Sequence, residues 1–465
     1  MILRLAIRSL FTHPVRTLVL ACGFGLGVGV MAMLLGVGEV ILDQARSPVL
    51  SGAGDVVIAS NAGRLPSARW ILSSGLRQAG LEGRVRTASP SQRATLYLVR
   101  NGRTVPIRAH GGIPSLEREV GDGETAGVSA WTDATSDAAW ASPDPAAALM
   151  ALDRFHPIPD VPSRAESWAE WLYFNGREGD TRFYLTFMVA ARRGEGSRDA
   201  GVRLQFERAG TRASYSERHE VNEADILKDA PNLTIGTSRV RLEGLRYHIT
   251  FDLPAESPGT GRVTGDIFID ALPGRALPPL TIHGAGGWVS GYVVPVMSGR
   301  LNGTLTVDRQ PITFHDGTGY HDHNWGFWKD VSWRWGQVQH GDLSLVYGRI
   351  HPPADAGDAE RIPGFLAAIG PDGPVGYASN VTIEETNEDD TGRPRGIRVT
   401  GRGSSLDVTM ELTIDSTVVT QTRTGFLGGG LDFLQMRANY RVRGRAGDRE
   451  VDFTAPGSAE TFRGR

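Results

Sequence analysis

The chain reads as a mainly β protein. It is expected to carry two consecutive antiparallel β-barrels, preceded by one transmembrane helix and a small α/β module. Three observations predict this. From Trp168 onward, short runs rich in β-branched and aromatic residues recur about every ten residues, punctuated by Gly, Pro and Asp. Long helical patterns are missing from that region. The N-terminal region holds an uncharged run, Thr17 to Gly38, long enough for a membrane helix.

The elements follow in order. MILRLAIRSLFTHPVRT is basic and amphipathic, and the uncharged run of about 22 residues follows it. That run exceeds a signal-peptide core, and no clean small-x-small cleavage site follows, so a retained anchor is expected over 1–46. Arg4, Arg8 and Arg16 precede it, and Glu39 and Asp43 follow. The positive-inside rule puts the N-terminus in the cytoplasm and the bulk of the chain outside the inner membrane, single-pass. Residues 47–120 alternate strand-like DVVIA, helix-like SARWILSSGLRQAGL, and strand-like ATLYLVR and TVPIRA, which suits a small α/β module. Residues 121–165 are rich in Asp, Ala, Ser and Pro and read as a linker, interrupted by a short helix at PAAALMALDRF. About fifteen strands follow, too many for one small barrel, so the division expected is 166–327 and 328–465. The acidic EETNEDD (Glu384–Asp390) reads as a solvated hairpin tip, because it lacks the glycine and closing Glu spacing of calcium loops.

Composition narrows the function classes. A net charge of −3 argues against a nucleic-acid binder. Only Lys228 and Lys329 are lysines against abundant arginine, which reads as genome composition rather than Arg-specific recognition. The lone Cys22 allows neither an internal disulfide nor a Cys-based zinc site.

The densest chemistry lies in TGYHDHNWGFWKDVSWRWGQVQHG, Thr318 to Gly341. His321 and His323 are two apart and share one face of a strand. Cupin-type metal sites begin this way, but Phe327 and Trp328 stand where a carboxylate is needed, and nothing fixes His315, His340 or His351 nearby. No metal is expected. In the same frame Tyr320, Asp322 and Asn324 share the opposite face. An Asp among Trp325, Trp328, Trp333 and Trp335 would be desolvated, raising its pKa and fitting it for general-acid work. Protonating an alkene creates a carbocation, which dry tryptophan faces stabilise by ~1–2 kcal/mol. A buried polar network that fastens two barrels together explains the same residues without chemistry. The residue types leave both readings open.

Two resemblances add to this. RLAIRSLFTHPVRTLVLACGFGLGVGVMAMLLGVGEVIL, with GDVVIASNAGRLP and RTVPIRAHGGIPSLEREV, resembles the start of MacB/FtsX-type ABC transporter permeases over roughly the first 120 residues. The further spanning helices of such permeases have no counterpart here. WAEWLYFNGREGDTRFYLTFMV, GWVSGYVVPVMSGRLNGTLTV, GTGYHDHNWG and the terminal AETFRGR are similar to the AttH/CrtC family, which includes carotenoid 1,2-hydratases (hydroxyneurosporene synthases). The likeness spans about 165–465. It implies two lipocalin-like β-barrels in tandem, a hydrophobic ligand and no organic cofactor. In the hydratase branch it implies addition of water across a polyene double bond. Carried onto this sequence, it implies Asp322 as proton donor, with His321 or His323 tuning it or positioning water. Tyr320 would hydrogen-bond the acid, and Trp325 would face the cation. Trp171 and Tyr173 would line the same cavity, beside Trp328, Trp333 and Trp335.

The function expected from the whole sequence is a membrane-anchored extracytoplasmic binding protein for a long hydrophobic molecule. Its partners would be the membrane and an ABC transporter ATPase or permease. The alternative is a carotenoid 1,2-hydratase-like hydro-lyase using Asp322, and a third is a structural envelope protein.

Overall fold

The computed structural model describes residues 12, 14–15, 17–19, 22–26, 28–31, 33, 56–59, 65, 68–73, 76, 81, 83–100, 103–126, 128–141, 144–229, 231–256, 259–421 and 431–464. Its contacts divide the chain into two units, Met1–Leu65 with Thr87–Ala141, and Pro66–Arg86 with Ser142–Arg465.

In the first unit, β1 (Ser91–Arg100) pairs antiparallel with β2 (Arg103–Gly112), as the alternating ATLYLVR and TVPIRA predict. The helix Pro114–Val120 has proline at its start and ends on Gly121 at φ 84, a left-handed cap. Val56–Ala59, expected as a strand, are described without regular structure. The described residues between 12 and 33 are helical and mostly exposed. Among the described residues no helix is long and apolar enough to cross a membrane. The remainder of the Thr17–Gly38 run lies outside them.

The second unit is built from two large antiparallel sheets. The first takes β3 (Trp168–Glu178), β4 (Thr181–Gly194), β5 (Ser197–Arg208), β6 (Thr211–Asn222), β7 (Leu233–Ile235), β8 (Ser238–Glu243), β9 (Arg246–Pro254), β10 (Arg262–Asp270), β11 (Leu277–His283), β12 (Val289–Val307) and β13 (Gln310–Phe327). Its order is β6-β5-β4-β3-β13-β12-β10-β9-β8-β7, with β11 also on β12. In β9 the period-two pattern buries Tyr247, Ile249, Phe251 and Leu253 on one face. The sheet curls until Tyr215 of β6 bridges Ala255 just beyond β9, which makes a nearly closed barrel. Leu172, Phe174, Phe187 and Ile249 fill its interior.

The second sheet takes β14 (Ser332–His340), β15 (Leu343–His351), β16 (Phe365–Gly370), β17 (Gly373–Ala378), β18 (Asn380–Asn387), β19 (Pro394–Arg402), β20 (Leu406–Gln421), β21 (Leu431–Ala446) and β22 (Arg449–Gly464). Its order is β17-β16-β15-β14-β22-β21-β20-β19-β18. It wraps a separate core around Leu345, Tyr347, Met410 and Tyr440. The acidic Glu384–Asp390 stretch runs from β18 into the turn before β19, and its tip is exposed.

A third apolar cluster belongs to neither interior. It joins Trp171, Tyr173, Tyr292 and Tyr320 of the first sheet to Trp333, Trp335, Phe365 and Phe462 of the second. This is the seam where the sheets meet. β3 and β13, neighbours in the middle of the first sheet, are buried on both faces there. One face looks into the barrel and the other into the seam. The helix Pro145–Leu152, read from the sequence as an interruption of a linker, is capped by Asp144 accepting from Ala147 N. The chain after it, Asp153 to Ile158, packs into the first sheet.

Candidate functional site

The seam face of β13 carries Tyr320, Asp322 and Asn324, and the pleat sends His321 and His323 the other way. Asp322 lies directly across from Tyr173 of β3. It is 2 % exposed. Asn324 Nδ2 donates to Asp322 Oδ1 at 2.5 Å, and the Tyr320 hydroxyl also bonds this carboxyl. The second sheet contributes Glu460 from β22, paired with Gln435 of β21 and with Trp335 of β14. Gln435 Nε2 donates to Tyr173 Oη at 2.7 Å and to Glu460 Oε1 at 3.3 Å. Trp335 Nε1 donates to Tyr320 Oη at 3.1 Å. Two carboxyls from different sheets thus approach one another, each attended by a tyrosine of the first sheet.

Burial in this aromatic seam raises the pKa of Asp322 well above the carboxylate range, and the charge of Glu460 adds to the rise. Glu460 is pushed up to about 7, mainly by burial. Tyr173 and Tyr320 are raised by burial and by these same carboxylates, so both stay as hydroxyls. Two acids that feel each other's charge titrate as a pair rather than singly.

The barrel face of the same strands holds a different network. His323 Nδ1 meets Asp153 Oδ1 at 2.7 Å and its Nε2 meets Glu170 Oε1 at 2.9 Å. His321 bridges Asp153 Oδ2 at 3.0 Å and the Tyr173 carbonyl at 2.9 Å. The His156 backbone N–H donates to both Glu170 oxygens at 3.0 Å, and its Nδ1 lies 2.7 Å from Oε1. Burial alone would raise both carboxyls, but the histidines outweigh it and lower them, Glu170 to about 2. Burial would lower His323, but Asp153 and Glu170 push it up to about 9. His156, Glu170 and His323 are donor types that suit a cation, with ligand atoms within 4.8 Å of one another. His323 bonds Asp153 and Glu170 at once, so the cluster fastens the 153–156 segment to β3 and β13.

The predicted residues thus divide into two groups. Tyr320, Asp322, Tyr173, Trp171, Trp328, Trp333 and Trp335 gather in the seam. Trp333 stacks on Trp335 at 5.4 Å, and Trp171 lies 4.6 Å from Trp328. His321 and His323 were expected to tune Asp322 or position water. The period of two turns both rings into the barrel, and only the His323 charge reaches Asp322, as a minor influence. Trp325, expected over a cation beside Asp322, is instead stacked on His156 at 4.0 Å. Its indole covers Gly291, where a Cβ would sit 2.3 Å from the ring. Sequence reasoning missed Glu460, Gln435, Asp153 and Glu170. AETFRGR was the one signal pointing to Glu460.

Two cavities adjoin the seam. A polar one of about 10 Å³, room for about one water, is lined by Asn175, Thr318, Tyr184, Gln337 and Ser458, among others. Asn175, Thr318 and Ser458 stand one pleat along from Tyr173, Tyr320 and Glu460 on the same strands. The larger, about 330 Å³, lies between β5–β6 and β20 and is lined by Tyr184, Gln205, Phe206, Glu207 and Val418, among others. Tyr184 borders both cavities and feels the charge of Glu460.

No family model and no curated protein matches the chain. Solved structures resemble it, two of them over about two thirds of the chain. An AttH-type protein of Nitrosomonas europaea is 14% identical, with TM-score 0.44 over 66% of this chain and 99% of that one. Kievitone hydratase of Nectria haematococca is 14% identical, with TM-score 0.42 over 66% of this chain and 93% of that one. Neither likeness bears on the permease-like start of the chain, and neither speaks for the residues at the seam.

Proposed function

We propose that the chain is a hydro-lyase that adds water across a carbon–carbon double bond of an apolar ligand, with Asp322 as the proton donor. One observation carries this reading: Asp322, 2 % exposed and hydrogen-bonded by Asn324, sits in a tryptophan-lined seam where burial raises its pKa well above the carboxylate range. A neutral carboxylic acid at neutral pH is what protonation of an alkene requires. Tyr320 and Asn324 orient the acid, and the indoles of Trp335 and Trp333 offer faces to positive charge. The resemblance of GYHDHNWG to the AttH/CrtC family supports the same chemistry. The ligand would enter from the 330 Å³ cavity, which is at the small end for a ligand site. That size suits a short isoprenoid better than a long polyene.

The test uses lycopene and farnesol as long and short probes in ¹⁸O-labelled water. The wild-type chain is expected to yield labelled alcohol from at least one probe. Asp322→Asn is expected to lose at least ~100-fold of that rate while still retaining the probe. An Asp322→Asn variant that hydrates at the wild-type rate overturns the reading.

A second reading keeps a specific observation. The larger cavity is formed by both sheets, which suits a binding protein for a hydrophobic molecule. On that reading the basic N-terminus and the Thr17–Gly38 run anchor the chain in the inner membrane beside an ABC exporter, with the barrels outside the cytoplasm. Probe co-purifying with both the wild type and Asp322→Asn, with no labelled product from either, favours this reading.

A further inference from the structure

The hydration proposed above needs a second group. Once Asp322 has given its proton to carbon, water must attack the cation and lose a proton of its own. We propose that Glu460 is that proton acceptor, and that the small cavity bounded by Asn175, Thr318 and Ser458 seats the attacking water. This inference rests on the hydro-lyase reading and adds the base to it.

Geometry points to Glu460. It is 6 % exposed and comes from the opposite sheet, so it faces Asp322 across the seam rather than sitting beside it. Gln435 and Tyr173 hold it, and Tyr173 is the cross-strand partner of Asp322. Each carboxyl is thus bonded by a tyrosine hydroxyl, Glu460 by Tyr173 and Asp322 by Tyr320, and a hydroxyl can both donate and accept. The water-sized cavity opens one pleat along from Glu460, where Ser458, Gln337 and Asn175 supply polar partners. A water held there needs such partners to be stable. The acids of the barrel network are bound to histidines and turned the other way.

The step balances. The Asp322 O–H bond breaks, and the alkene π pair forms a C–H bond with that proton. The neighbouring carbon becomes a cation, and water oxygen forms the C–O bond. One water O–H bond breaks, and Glu460 takes the proton. The pair then holds one proton on Glu460 and none on Asp322. Return of that proton from Glu460 to Asp322 restores the starting state. A pair carrying one proton begins and ends each turnover with the same count.

Glu460 is faced by Tyr173 of β3, Tyr184 of β4, Tyr320 and Asp322 of β13, Tyr347 of β15, and Gln435 and Tyr440 of β21. Arg182 and Glu207 stand behind Tyr184. The first experiment needs no substrate. Carboxyl C=O bands are followed by pH-difference infrared spectroscopy, and the Asp322 band is identified by its loss in Asp322→Asn. In Glu460→Gln the Asp322 midpoint is expected to fall by about one pH unit or more, since a negative neighbour is gone. An unchanged midpoint overturns the pair.

The second experiment separates acid from base. In deuterated ¹⁸O-water with farnesol, Asp322→Asn should lose both labels. Glu460→Gln should still place deuterium on carbon through reversible protonation, and lose ¹⁸O incorporation by at least ~100-fold. Tyr173→Phe, which keeps the ring and removes the hydroxyl, should lower ¹⁸O incorporation less. It serves if Glu460→Gln does not fold. Undiminished ¹⁸O incorporation in both variants overturns the assignment of Glu460 alone. A wild-type chain inert to both probes overturns the hydro-lyase reading, and the infrared result then decides the pair by itself.

Discussion

Four buried carboxyls, Asp153 after the Pro145–Leu152 helix, Glu170 on β3, Asp322 on β13 and Glu460 on β22, shift in opposite directions. Asp153 and Glu170 are lowered because histidines accompany them, whereas burial raises Asp322 and Glu460, and the charge of Glu460 adds to the rise of Asp322. The sign of each follows from its neighbours, since all four are buried. Glu460 rises from 4.5 to about 7. Its stabilising contribution is therefore complete below its unfolded value and is lost as pH rises through about 7. His323 rises from 6.5 to about 9, so its contribution is lost over the higher range. Glu170 falls from 4.5 to about 2, so its contribution fails only as pH drops through that value. Stability is expected to peak near about pH 5 and to decline in two limbs toward about pH 9, each on the order of 3 kcal/mol. Chemical denaturation at a series of pH values reads this directly. Glu460→Gln should flatten the lower limb and, by removing the charge that raises Asp322, shift the Asp322 contribution as well, and a profile identical to the wild type would contradict the assignment. At this scale Asp322 was legible in the sequence, because alternation along GYHDHNWG fixes which residues share its face. Glu460 was not, because it lies in an ordinary-looking strand and reaches Asp322 only through tertiary packing.

At the scale of the element, β13 is a strand with two jobs. Its seam face carries the acid and its barrel face carries the histidine network. The sequence showed polar groups on both faces, and the structure supplies protein on both sides to receive them. Two features of GYHDHNWG hold the register. Asn324 turns back on Asp322, and Gly326 adopts φ 147 where a Cβ would lie 2.7 Å from the Val289 carbonyl. Gly326→Ala is expected to destabilise by about 1–3 kcal/mol through overpacking, with added strain at that φ. Urea denaturation measures it, and a neutral result would mean that β12 yields freely. The segment before β3 was the least legible. Its Ala, Pro and Asp composition reads as a linker, yet Asp153 is fully buried within it. Composition reports average polarity, and a single charged residue bound by three hydrogen-bonding partners does not move it.

For the whole second unit, the third apolar cluster explains how two sheets, each with its own core, become one body. The recurrence of short strands made both sheets readable. The seam was readable only as an excess of tryptophan near residues 325–335. Trp333 is 1 % exposed and packs against Trp171, Trp328, Trp335 and Phe462. Trp333→Ala is expected to cost about 3–5 kcal/mol. Because the loss falls between the sheets, unfolding should split into two transitions in scanning calorimetry. A single transition shifted to lower temperature would mean the sheets remain cooperative without this ring.

The acid and its opposite number are anchored on strands that share no hydrogen-bonded ladder. Any sliding of one sheet past the other, even by a fraction of a pleat, would part them and let each revert to an ordinary carboxylate. The raised pKa of the two acids is therefore a gauge of the clasp, because it depends on burial that only the closed halves provide.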